Sequence, residues 1–122
     1  MKIRGADFVL YFVSDFPRAV DFYRDALHLP SDLCSFEWQW AEFDCGNLTL
    51  AIKGGAAPTS IMPGPRLALA VDDLPAAHAE LIARKVRLGG PPEDHGVCQA
   101  LEVFDPDGNM IILHHRTDGT CG

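Results

Sequence analysis

The sequence predicts an α+β fold built from two tandem βαβββ modules. Three observations predict it. VSDFPRAVDFY at residues 13–23 is echoed by VDDLPAAHAEL at 71–81, an offset of 58 at which Val13 meets Val71, Asp15 meets Asp73 and Pro17 meets Pro75. Each copy opens on an apolar run, FVLYFV (8–13) in the first and RLALAV (66–71) in the second. Between the copies, GGAAPTSIMPGP (54–65) is rich in Gly and Pro and lacks periodicity, which marks a linker. Self-similarity at a fixed offset is the signature of a duplicated supersecondary unit.

The elements follow in order. FVLYFV is aromatic and β-branched and reads as a buried strand. Asp15 offers an N-cap and Pro17 a preset φ, so a helix starts there and runs to about Leu27. Ala19, Phe22, Tyr23, Ala26 and Leu27 give it one apolar face. SFEWQWAEFD and NLTLAIK read as two strands joined by a short hairpin turn at Cys45-Gly46. After the linker the pattern restarts: strand 66–71, an Asp73 cap with Pro75, and a helix to about Val86. GGPPEDHG reads as a loop, and CQALEVF and NMIILHH as strands around the four-residue turn DPDG. The expectation is a single domain over 1–122, with module one at about 1–55, the linker at 54–65, module two at about 66–116 and a tail at 117–122.

At 122 residues with 48% hydrophobic and 22% charged residues, the chain is large enough to bury a core and is not disordered. A net charge of −7 disfavours nucleic acid and anionic membrane as partners and is compatible with a cationic ligand. No apolar run reaches the length of a membrane span, and MKIRGADF lacks the apolar core of an export signal, so the expected location is the cytoplasm. Cys34, Cys45, Cys98 and Cys121 form no C-x-x-C pair, which argues against a zinc ribbon and for four free thiols.

V-x-D-x-P-x-A-x-x-FY in the first copy, RLALAVDDL in the second and FDPDGNMIIL near the end resemble the vicinal oxygen chelate superfamily, which contains glyoxalase I, extradiol dioxygenases, epimerases and bleomycin-resistance proteins. The resemblance spans residues 7 to 116 and implies that two curved mixed sheets enclose a cavity. It also implies a homodimer. Enzymes of this kind hold one divalent metal through four strands, and those positions carry over to Phe8, Ala51, Arg66 and Ile112. Phe, Ala and Ile offer no lone pair and a guanidinium repels a cation, so the resemblance leads to the metal-free, bleomycin-resistance-like branch, with no cofactor.

A two-residue turn at Cys45-Gly46 places Trp40 opposite Ala51, Trp38 opposite Lys53 and Glu42 opposite Thr49. The former metal face then carries Trp38, Trp40 and Glu42, and the opposite face Phe43, Leu48, Leu50 and Ile52. The DPDG turn places Leu101 opposite Ile112 and Gln99 opposite His114. The expected lining is Phe8, Leu10, Phe12, Trp38, Trp40, Glu42, Arg66, Ile112 and His114, with Phe8, Phe12, Trp38, Trp40, Glu42, Arg66 and His114 touching ligand. Each has a plainer reading. The tryptophans would equally fill a closed core, and Arg66 would equally begin a strand in solvent or pair with Glu42. His95 would cover the cavity mouth or sit solvated in its loop, and Glu102 reads as an ordinary strand residue.

The function expected is a small-molecule-binding protein that sequesters a partly aromatic, cationic compound without turnover, the antibiotic-resistance mode of the resemblance. The alternatives are a metal-dependent lyase, epimerase or dioxygenase with displaced ligands at His114, Glu42 and His95, and a non-catalytic interaction domain with a filled core.

Overall fold

A computed structural model describes every residue except Ile3, Pro63 and Gly122. The chain divides into two compact units, Met1–Ile61 and Met62–Gly122. Each is a four-stranded mixed sheet with one helix, an α+β arrangement of the same topology written twice.

In the first unit, strand β1 (Phe8–Phe12) leads into helix α1 (Phe16–Asp21), then β2 (Ser31–Ser35), β3 (Trp40–Asp44) and β4 (Thr49–Lys53). The sheet order is β1-β4-β3-β2, with β1 parallel to β4 and the other pairs antiparallel. As expected, Asp15 caps the helix, its carboxylate accepting the Arg18 N–H at 3.2 Å. The helix does not stay α to its end. Residues Phe22–Ala26 widen into a π-type turn in which the Leu27 N–H donates to the Phe22 carbonyl, five residues back, at 3.1 Å. β1 is buried on one face only: Tyr11 is 3% exposed but Phe8 and Phe12 are 48% and 53% exposed, correcting the expectation of a fully buried strand.

In the second unit, β5 (Leu67–Ala70) leads into helix α2 (Leu74–Ala83), then β6 (Glu93–Asp94), β7 (Cys98–Phe104) and β8 (Met110–Arg116), in the sheet order β5-β8-β7-β6. Asp73 caps α2, accepting the Ala76 N–H at 3.0 Å. GGPPEDHG is therefore not all loop, since it holds β6.

One face of each sheet packs under its helix. In the first unit that side buries Tyr11, Ala41, Phe43, Leu50 and Ile52 against Phe16, Ala19, Val20 and Tyr23, with the Tyr23 and Phe43 rings 5.8 Å apart. In the second, Leu101, Val103, Ile111 and Leu113 are buried on the side of Leu74 and Leu81. Strand alternation sends the intervening residues to the opposite, helix-free face of each sheet.

Candidate functional site

The open face of the first unit is apolar and aromatic. Phe8, Leu10 and Phe12 from β1, Ala51 and Lys53 from β4, Trp40 and Glu42 from β3, and Leu33 from β2 share it by register. The Phe8 and Trp40 rings meet edge to face, with centroids 6.1 Å apart. They belong to β1 and β3, with β4 between, so the pair closes over β4. That accounts for Ala51, fully buried on a face with no helix. Glu42, a half-buried residue, lies between Leu33 and Ala51, and its carboxylate makes no hydrogen bond or ion pair among the described residues. The Lys53 ammonium on the same face donates to the Trp38 carbonyl, and no ion pair joins it to Glu42 among the described residues.

The hairpin register differs from the expected one by two residues. Trp40 faces Lys53 and Glu42 faces Ala51. The connection is four residues long, not two: the Asp44 carboxylate accepts the Gly46 N–H at 2.7 Å, and the Cys45 N–H donates to the Leu48 carbonyl at 2.9 Å. That takes Asn47 and Leu48 out of the strand. A shift of two preserves parity, so Trp40 and Glu42 still share a face with Ala51. Trp38 does not pair with Lys53. It sits in the turn 36–39, 70% exposed, with its N–H on the Ser35 hydroxyl at 3.2 Å.

In the second unit the register moved by one, and one residue inverts a strand. Leu101 faces Leu113, Ala100 faces His114, and Glu102 faces Ile112. Ile112 and His114 remain on the open face, but Leu101 and Gln99 leave it and Ala100 and Glu102 replace them. The cause is Asn109, which was read as a strand residue. It is buried, and its backbone and side-chain N–H groups both donate to the Asp105 carboxylate at 2.8 Å, so the loop is five residues long. Asp and Asn four residues apart across a Gly was the sequence signal for this. DPDGN thus builds a turn; it supplies no group to either open face.

Glu102 was the residue that sequence reasoning missed. It lies opposite Gly89, whose N–H donates to the Glu102 carbonyl at 2.9 Å. A Cβ at Gly89 would stand 2.7 Å from the Glu102 Cβ, so glycine there makes room for the carboxylate. Ala68, Ala70, Ala100, Ile112, Glu102 and half-buried His114 make this face small-residued with two ionisable groups. Arg66 precedes β5 and is exposed. His115 points the other way, its Nδ1 2.9 Å from the Val71 carbonyl, and His95 pairs with Glu93 at 3.2 Å.

The side chains at the four carried-over metal positions do not fit a metal ion. Phe8 is committed to Trp40, Ala51 is buried beneath them, Ile112 faces Ala68 and Glu102, and Arg66 is cationic. Among the described residues no three His, Cys, Asp or Glu side chains converge to hold an ion.

Two βαβββ modules of this topology define a class of α+β proteins built from two matching four-stranded mixed sheets. The chain belongs to the glyoxalase/bleomycin resistance protein/dioxygenase superfamily, whose model matches residues 5–113. It is 25% identical over 116 residues to YraH of Bacillus subtilis (strain 168), covering 84% of this chain and 91% of YraH. Its fold matches the fosfomycin resistance protein FosX from Mesorhizobium loti with a TM-score of 0.75 at 19% identity, covering 95% of each chain. It also matches lactoylglutathione lyase from Agrobacterium tumefaciens with a TM-score of 0.71 at 15% identity, covering 94% and 96%. No helix among the described residues is long and apolar enough to cross a membrane.

Proposed function

We propose that the protein is a metal-free binding member of its superfamily, holding a partly aromatic organic cation on the open face of its first unit. The observation that carries this reading is the unpartnered Glu42 carboxylate beside the Phe8–Trp40 pair. A carboxylate without a counter-ion beside exposed aromatic side chains is a place for a cation brought by a ligand, and the ring faces add stacking and cation–π attraction. Phe12 and Leu33, exposed at 53% and 47%, supply further apolar contact. Binding here is stoichiometric, a sequestration rather than a turnover.

The test is a melting-temperature screen with planar aromatic cations and their neutral isosteres, before and after dialysis against a chelator. A cation at a hundredfold excess over Kd stabilises by about 2.7 kcal/mol, and chelation changes nothing. Trp40→Ala and Glu42→Gln abolish the shift while leaving the unliganded melting temperature within a few degrees. Equal shifts from the neutral isosteres would remove Glu42 from the reading.

A second reading has one observation in its favour: Glu102 and His114 are diagonal neighbours on the other open face, the spacing at which an acid–base pair or a displaced metal could act. One metal ion per chain after purification, lost together with activity in His114→Ala, would replace the first reading by this one. The homodimer implied by the resemblance is tested by size-exclusion chromatography with light scattering.

A further inference from the structure

We propose that the first unit carries a second binding site, away from its open face, in the groove between the start of α1 and the β2–β3 turn, and that this site takes a planar aromatic ring bearing an N–H donor. The groove is shallow and open to solvent, has a volume of about 450 Å³ and is lined by Ser14, Asp15, Phe16, Pro17, Phe36 and Gln39. None of these residues lies on a strand, so the site is independent of the Trp40–Glu42 reading.

The fold alone makes a groove here. The second unit has one in the corresponding place, lined by Leu74, Pro75, His78, Pro92, Glu93, Asp94 and Gln99, with Leu74 and Pro75 replacing Phe16 and Pro17. That one measures about 260 Å³ and has no phenylalanine on its wall, whereas small-molecule pockets run from about 300 to 1,000 Å³. The chemistry installed in the first unit separates the two.

Phe36 packs edge to face on the buried Phe16 ring, centroids 5.3 Å apart at 79°, and is itself 58% exposed, so it supplies the groove's one open ring face. Gln39 is held with φ at +50°, a left-handed backbone that is unfavourable for a residue with a Cβ. Its carbonyl accepts the Gly54 N–H at 2.8 Å. Gly54 is buried, and a Cβ there would strike the Gln39 carboxamide and come within 2.8 Å of the Phe16 Cβ. The strained turn therefore sets a carboxamide beside the Phe16–Phe36 pair, and that carboxamide has no side-chain hydrogen bond among the described residues. Strain that a fold maintains at a cavity points to a use for it. Asp15 spends one carboxylate oxygen on the Arg18 N–H and keeps the other for a ligand. The Asp15 carboxylate and the Gln39 carboxamide beside the exposed Phe36 ring suit a planar aromatic molecule that carries an N–H donor and a carbonyl acceptor, as an aryl carboxamide does.

The probe is benzamide, titrated into the isotope-labelled full chain and followed by NMR. The side-chain NH₂ of Gln39 and the backbone amides of Phe16 and Phe36 shift saturably in the low millimolar range, and do so equally in Trp40→Ala. Phe36→Ala and Gln39→Gly each lose roughly tenfold or more in affinity. Gln39→Gly also relieves the left-handed strain, so its melting temperature does not fall, and lost binding there cannot be lost folding. No saturable shift at these resonances, or unchanged affinity in both variants, overturns the proposal. So does a response confined to Trp40 and Glu42, which would instead favour the open face.

Discussion

The two units share one topology and differ in what fills it. Among the described residues, the first buries twelve apolar side chains, five of them aromatic, and the second buries six, none aromatic. The second adds a buried polar pair, Asp105 and Asn109. Duplication therefore preserved strand order and helix caps while the turns and the packing diverged. The same contrast appears on the open faces: aromatic with Glu42 and Lys53 in the first unit, alanine-floored with Glu102 and His114 in the second. Shared backbone and unshared chemistry are what a scaffold gives when its sites evolve separately.

The largest expected effect lies in the aromatic core. Phe43 is fully buried and stacks on Tyr23, so Phe43→Ala costs about 3–5 kcal/mol in urea unfolding. Leu101→Ala, in the thinner core of the second unit, costs about 2–3 kcal/mol. Equal losses would break the contrast between the units.

A middle-sized effect belongs to the second unit's polar loop. The Asp105 carboxylate accepts from the N–H groups of Asp107 and Asn109 and from the Asn109 side chain, at 2.8 to 2.9 Å. Asp105→Ala strands those donors and costs about 1–3 kcal/mol, while Asp105→Asn, which keeps one acceptor, costs less. Amide exchange at Asn109 accelerates in step with the loss. A smaller change in Asp105→Ala than in Asp105→Asn would mean that the loop, and not the network, sets the register of β7 and β8.

The fold was legible because its signals are local. Asp15 and Asp73 cap helices wherever the rest of the chain goes, and the 58-residue echo needs no structure to be seen. The site was legible only as far as its turns were. Reading the first hairpin loop two residues short still left Trp40 and Glu42 on the right face, because side-chain direction repeats every two residues. Reading the DPDGN loop one residue short turned β7 over, hiding Glu102 and promoting Leu101. Trp38 and the groove at Gln39 lay beyond reach for another reason. Both depend on a turn held by the Ser35 hydroxyl and a left-handed Gln39; serine is common in turns, but glutamine does not advertise a left-handed position.

The smallest effect concerns how each helix stops. In the second unit α2 closes with the Val86 N–H on the Leu81 carbonyl and the Lys85 N–H on the Ile82 carbonyl, both 3.0 Å. That pairing calls for a left-handed residue, and Lys85 supplies it at φ +58°, where glycine is the usual occupant. In the first unit His28 has the same φ, but the closing bonds are one residue wider because of the π-type turn. Lys85→Gly removes the Cβ penalty at some cost in chain entropy, for a net gain of about 0.5–1 kcal/mol. His28→Gly gains less, because histidine tolerates the left-handed region better than lysine does. Paired thermal melts of the two variants check this. An equal or larger gain at His28 would locate strain in the widened turn itself, making the first unit, despite its larger core, the one whose helix ends under tension.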